Sequence, residues 1–198
     1  MNNSQGKELN SLALSVHRQA EGSVEQLVRC YQDQLFSFAL RLLRDPMDAQ
    51  EVTQDAFIRA IRALTIQYDA ERCRNLALRP WLFRITRNLA FNRSRARHLI
   101  PEERLEPDSN GHKAALLRAE KLQRDPRPPR VTEALELALK LLNSENRALV
   151  LLRFMEEMSY AEIAALLGTT EAAARAKLFR ALGKLRGILS RMEDRHAL

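Results

Sequence analysis

Two segments, well separated in the chain, carry side chains suited to phosphates and bases. The first is Pro80-Trp81-Leu82-Phe83-Arg84-Ile85-Thr86-Arg87-Asn88-Leu89-Ala90-Phe91, which runs straight into Asn92-Arg93-Ser94-Arg95-Ala96-Arg97. No acidic residue occurs from Arg79 to Ile100. Arginine beside aromatic residues suits single-stranded DNA, because bases stack on rings while the backbone sits in positive potential. Leu82, Ile85 and Leu89 fall at core spacing. Arg84, Arg87, Asn88, Asn92 and Arg93 are the candidate contacts, with Arg95 and Arg97 beyond them. A solvated basic face would use the same residues, so both readings stand for this segment.

The second segment is Ser159-Tyr160-Ala161-Glu162-Ile163-Ala164-Ala165-Leu166-Leu167-Gly168-Thr169-Thr170, followed by a basic stretch. Ser159 with Glu162 three residues on is a capping box, which fixes a helix start. Gly168 sits where that short helix stops with a left-handed residue. Thr170 then caps a second helix beginning near Glu171, buried through Ala174, Leu178, Leu182 and Leu185. This spacing predicts a helix-turn-helix, whose second helix starts in the major groove. Ala172, Ala173 and Ala176 permit close approach. Arg175 and Arg180 reach base edges or phosphates, with Phe179 at the margin. Lys177, like Lys184 and Arg186, is a phosphate contact or merely solvated. An ordinary helical hairpin with a basic exterior is the plainer alternative.

A third stretch does not fit a pure DNA binder. Asp48, Glu51, Gln54 and Asp55 form an acidic and polar face that repels phosphate. It is either solvated or a contact for another protein.

The elements that position these residues read as helices. Val24, Leu27, Val28, Tyr31, Leu35, Phe38 and Leu42 step by three and four, and Asp45-Pro46 ends that helix. A second helix buries Ala49, Val52, Ala56, Ile61 and Leu64. A looser stretch from Thr65 to Arg79 leads to the Trp81 segment. Between His98 and Arg130 lie Pro101, Pro107, Pro126, Pro128 and Pro129 among charged residues, a linker composition that a short helix over Lys113–Arg124 interrupts. The expected layout is an all-α chain of two small helical domains: a tail over 1–22, a domain over 23–97, a linker over 98–130, a helix-turn-helix domain over 131–189, and a tail over 190–198.

Composition agrees. A hydrophobic content of 45% supports packed cores, and a formal net charge of +7 favours a polyanionic partner. Cys30 and Cys73 read as reduced thiols. His17, His98, His112 and His196 are scattered, with no metal-ligand spacing and no phosphate-binding glycine loop. No cofactor, metal site or catalytic residue is therefore expected, and an enzyme is disfavoured. The absence of a signal-like or membrane-spanning apolar run points to a cytoplasmic protein without membrane insertion.

Taken in order, the segments resemble the bacterial sigma factors of RNA polymerase, in the small extracytoplasmic-function group. Asp48-Ala49-Gln50-Glu51-Val52-Thr53-Gln54-Asp55-Ala56-Phe57-Ile58-Arg59-Ala60 is similar to that family's region 2.2. Trp81 to Ala90 resembles the end of region 2.3 and the start of 2.4. Leu149 to Phe154 with Met158 to Ala164 resembles region 4. The resemblance implies that Asp48, Glu51, Gln54 and Asp55 dock on the β′ clamp helices of core polymerase, whose β subunit is a further partner. It implies that Arg84, Arg87, Asn88, Asn92 and Arg93 capture and open the −10 promoter element. Region 4, with Arg175, Lys177 and Arg180 on its recognition helix, reads the −35 element. An anti-sigma factor is a further partner the family suggests. The chain departs from the family pattern in a longer stretch before Trp81, including Arg72-Cys73-Arg74-Asn75. It also has Ala172, Ala174 and Ala176 where Gly, Val and Ser/Thr are customary. The competing reading is a free-standing helix-turn-helix regulator, which leaves the acidic face unexplained.

Overall fold

The computed structural model describes residues 12–99 and 133–196, all of whose regular elements are helical. The chain divides into two compact units, Met1–Leu122 and Gln123–Leu198.

The N-terminal unit begins with a helical turn over 12–17 (α1), where a tail is expected from sequence. Leu12, Ala13 and Val16 are buried, and His17 Nδ1 lies 2.9 Å from the Leu64 carbonyl. A carbonyl only accepts, so that ring nitrogen carries the proton. Helix α2 spans Ser23–Leu43 and ends with Arg44 in the left-handed region, its N–H bonded to the Leu40 carbonyl. Asp45 then caps α3, Pro46–Arg62, by accepting from the N–H groups of Met47 and Asp48 at 2.9 and 3.0 Å. Pro46 thus opens the next helix, at the position where its missing N–H costs nothing.

From Thr65 to Arg79 the chain is ordered rather than loose. A π-helical turn over Ala63–Gln67 continues α3, and Asp69 caps a short α4, Ala70–Asn75. The Arg72 guanidinium lies 3.8 Å from the Tyr68 ring centroid, and Tyr68 packs 5.7 Å from Trp81. Helix α5 follows as Leu78–Leu99. Pro80 falls in its first turn, where backbone N–H groups have no intrahelical partner.

Helices α2, α3 and α5 pack on one another around Tyr31, Leu35, Phe38, Leu64, Leu82 and Phe83. Phe38 and Phe83 meet edge to face at 5.3 Å. The expected stripes hold in part: Val24 and Val28 on α2 are half-buried. Ile61 and Ile85 are only half-buried, whereas Phe83 is fully buried. Cys73 is buried as well, which raises its thiol pKa, while Cys30 is exposed. In the folded chain we therefore expect a thiol reagent to modify Cys30 quickly and Cys73 only on denaturation. Rapid reaction of both thiols in the native state would contradict the packing of α4.

The C-terminal unit contains α6 (Glu133–Leu141), α7 (Ser144–Phe154), α8 (Tyr160–Leu167) and α9 (Glu171–His196). Arg147 on α7 closes the end of α6, donating to the carbonyls of Leu139 and Leu142 at 2.8 Å and of Lys140 at 3.1 Å. Helix α9 packs against α6, α7 and α8 through Ala174, Leu178, Ala181 and Leu185. Ala181 is fully buried, and Leu182, expected in the core, is half-buried. His98 and Leu99 belong to α5 rather than to a linker. The rest of the expected linker, with its Lys113–Arg124 helix, lies outside the described residues.

Candidate nucleic-acid and partner interfaces

In the C-terminal unit the local signals produce the expected turn. Ser159 Oγ accepts from the Glu162 N–H at 3.2 Å, and the Glu162 carboxylate accepts from the Ser159 N–H at 2.9 Å. Such a box is worth about 1 kcal/mol to the helix it starts. Gly168 takes φ 64° at the end of α8, a conformation that a β-carbon would strain. Thr170 Oγ1 then accepts from the Ala173 N–H at 3.2 Å as α9 begins.

Helix α9 presents Ala172, Arg175, Ala176, Phe179 and Arg180 around one shallow surface, with Lys177 exposed and Ala173 half-buried at its edge. Phe179 is 77% exposed, too much for a ring that serves the fold. Arg175 is held from two sides. Its Nη2 lies 3.2 Å from Glu171 Oε1, and its guanidinium stands 4.8 Å from the Tyr160 ring centroid. Arg153 lies over the same ring at 5.3 Å and donates to the Met158 carbonyl. Tyr160 was not among the residues expected to matter, because its contact with Arg175 crosses the turn.

In the N-terminal unit α5 carries two sets of cations. Positions 84, 87, 88, 91 and 95 share one face at 3.6 residues per turn, with Asn92 beside it. There Asn88, Asn92 and Arg95 are exposed and Arg84 and Arg87 half-buried. Arg87 donates to Asn88 Oδ1 and lies 5.6 Å from the Phe91 ring. Arg93 and Arg97 instead continue the stripe of Leu82, Thr86 and Leu89, which faces the core. They meet the first turns of α3. Arg93 Nε bonds Asp48 Oδ1 at 2.8 Å, and its Nη2 bonds Glu51 Oε2 at 2.5 Å. Arg97 Nη2 bonds Asp45 Oδ2 at 2.8 Å, and its Nη1 lies 3.0 Å from Asp48 Oδ2, close enough to pair but poorly aligned for a hydrogen bond.

This cluster corrects the expected site in two ways. Asp48 is 3% exposed, on the inward side of the first turn of α3, so it is not part of an open docking face; Glu51, Gln54 and Asp55 are exposed and share one strip of the helix. Arg93 stands apart from Arg84, Arg87, Asn88 and Asn92, bound to the very carboxylates assigned to docking. Electrostatics follow the geometry. Burial works against the Arg93 charge, but the hydrogen bond and charge of Asp48, with Glu51 and Asp45 beyond it, raise its pKa. The Asp45 hydrogen bond raises that of Arg97. Burial pushes the Asp45 carboxyl upward, yet the Asp48 N–H, Arg97 and the Met47 N–H together leave it below the ordinary value. Among the described residues, no helix is long and apolar enough to cross a membrane.

A helix-turn-helix unit and a second helical unit with an arginine-lined helix define a two-module nucleic-acid-binding protein. Comparison with known proteins makes this specific. Residues 27–99 match the family model for Sigma-70 region 2, and residues 132–185 match that for Sigma-70, region 4. The ECF RNA polymerase sigma factor SigE of Mycolicibacterium smegmatis is 32% identical over 169 residues, covering 85% of this chain and 62% of that relative's length. The RNA polymerase sigma-E factor of Streptomyces avermitilis is 34% identical over 177 residues, covering 88% of this chain and 89% of its own. The structure of CnrH in complex with the cytosolic domain of CnrY superposes with a TM-score of 0.63 at 25% identity, covering 91% of this chain and 96% of that one. RpoE of Bartonella quintana, solved with the anti-sigma factor NepR, shares the fold with a TM-score of 0.59 at 19% identity over 85% of this chain and 98% of its own. The chain belongs to the sigma-70 family of RNA polymerase sigma factors, in its extracytoplasmic-function group.

Proposed function

We propose that this chain is a promoter-specificity subunit of RNA polymerase. It binds core polymerase, captures and opens the −10 element with its N-terminal unit, and reads the −35 element with its C-terminal helix-turn-helix. The observation that carries this reading is the presence of region 2 and region 4 on one chain, each with a cationic helix face. Arg84, Arg87, Asn88 and Asn92 take the opened strand, where stacking and positive potential act together. Ala172, Ala173, Arg175, Ala176, Lys177, Phe179 and Arg180 face the −35 duplex. Glu51, Gln54 and Asp55 dock on the β′ clamp helices, with Asp48 supporting them from beneath. The subunit acts in the cytoplasm and catalyses no reaction itself. An anti-sigma factor is a natural partner, given the one bound to RpoE. A free-standing regulator would use only one of the two modules and is not favoured.

Holding two tethered modules on one polymerase raises selectivity through effective concentration, provided the element spacing fits. The test is run-off transcription on fragmented DNA from the chain's own genome, with core polymerase from the same source. Discrete start sites requiring both components are expected, and aligning them yields both elements. Tight duplex binding by the chain alone, without new transcripts, would overturn the proposal.

A further inference from the structure

The Arg175 guanidinium is held by two contacts of different kinds. Its Nη2 lies 3.2 Å from Glu171 Oε1, one turn earlier on α9, and the group stands 4.8 Å from the Tyr160 ring centroid across the turn. The carboxylate restrains one nitrogen and lets the group swing about it. The ring restrains the group as a whole, because the negative face of the ring attracts the cation. The Arg175 side chain stays 63% exposed, so it is held without being covered. The ring is itself fixed in place. Tyr160 is half-buried and is the first residue of α8, where the Ser159–Glu162 box starts the helix. Arg153 of α7 lies 5.3 Å from the same ring and donates to the carbonyl of Met158, whose side chain is fully buried.

This geometry bears on what Arg175 can recognise. A phosphate takes an arginine from many directions and carries no sequence, whereas a base edge specifies. Two-point donation from a guanidinium matches O6 and N7 of guanine in the major groove, and it demands one orientation. We infer that Tyr160 is a positioning residue for sequence readout: its ring holds Arg175 in the orientation that reads a guanine of the −35 element. The inference rests on the proposed role of α9. An unrestrained arginine would still reach phosphates, so loss of the ring should relax discrimination at one base pair rather than weaken binding everywhere.

The test measures initiation by holoenzyme on a promoter defined by run-off transcription, and on templates that replace each −35 base pair in turn. For every variant the quantity read is the ratio of rates on intact and substituted templates, which cancels any loss of folded protein. Arg175→Ala is expected to abolish the preference at one G·C pair. Tyr160→Leu is expected to lower the preference at that same pair about two- to fivefold, the worth of an exposed cation–π contact, and to leave the other positions unchanged. Tyr160→Phe keeps the ring and is expected to keep the preference. A loss spread evenly over all positions, or no loss with Tyr160→Leu, would overturn the inference. So would an equal loss with Tyr160→Phe, which would assign the effect to the hydroxyl, or an Arg175→Ala variant that loses no guanine preference. If only these variants disagree while the wild-type holoenzyme reads its −35 element, the inference falls and the sigma-factor reading stands. If the wild-type holoenzyme starts nowhere, the reading beneath it has fallen too.

Discussion

Replacing Asp48 with lysine is expected to destabilise the N-terminal unit strongly, not merely to weaken a docking contact. The carboxylate is 3% exposed and within 3.0 Å of both Arg93 and Arg97. Lysine would bury an ammonium beside two guanidiniums and leave both without their shared counter-charge. It would also place positive charge in the first turn of α3, where the helix dipole favours a negative one. Breaking a buried pair typically costs about 3–5 kcal/mol. The arginines are nearly half exposed, at 44% and 46%, so water recovers part of their loss and the lower end applies. That is a large share of a domain stability of about 5–15 kcal/mol. Glu51→Lys and Asp55→Lys, both at exposed positions, are expected to change stability by less than about 1 kcal/mol. Urea titration of the full chain by circular dichroism separates the cases. An Asp48→Lys variant with the wild-type midpoint would mean that the ion cluster contributes nothing to the fold.

The sequence alone suggests the opposite for Asp48, and the reason is instructive. Signals acting over three or four residues are legible: the Ser159 box, Gly168, Thr170, and the Asp45-Pro46 junction all have local causes. The burial of Asp48 is set by Arg93, forty-five positions away. One periodic clue was present, since Arg93 and Arg97 continue the core stripe of Leu82, Thr86 and Leu89. The run of basic residues along α5, with no acidic residue among them, masks that clue. The exchange of Ile85 for Phe83 has a similar origin, because Phe38 on another helix decides which ring is buried. The stretch from Thr65 to Arg79 read as loose because its order comes from the stack of Arg72, Tyr68 and Trp81, which no helical period announces. The α1 turn has too few apolar positions to stand out from polar neighbours. The site on α9 was the most legible, because burial of Ala174 and Leu178 leaves only one way for Arg175 and Phe179 to face.

That certainty of orientation makes the α9 surface the place for the largest functional effect. Changing both Arg175 and Arg180 to alanine is expected to lower initiation at a promoter with an intact −35 element by about thirtyfold or more, since each arginine to base readout is worth about 1–3 kcal/mol. The fold and core polymerase affinity should be unchanged, because both side chains are exposed on the face proposed to meet DNA. The two residues are not equivalent. Arg175 is pre-ordered by Glu171 and by the Tyr160 ring, so less side-chain entropy remains to be lost when it meets DNA. Arg175→Lys should therefore recover little, because lysine keeps the charge but lacks the planar fork. Phe179, exposed on the same face, is expected to add an apolar contact that distinguishes thymine by its methyl group. The measurement is initiation rate on matched templates that keep or scramble the −35 element. If the double variant loses as much activity on the scrambled template as on the intact one, α9 is not reading sequence, and its arginines serve the polymerase or the fold instead.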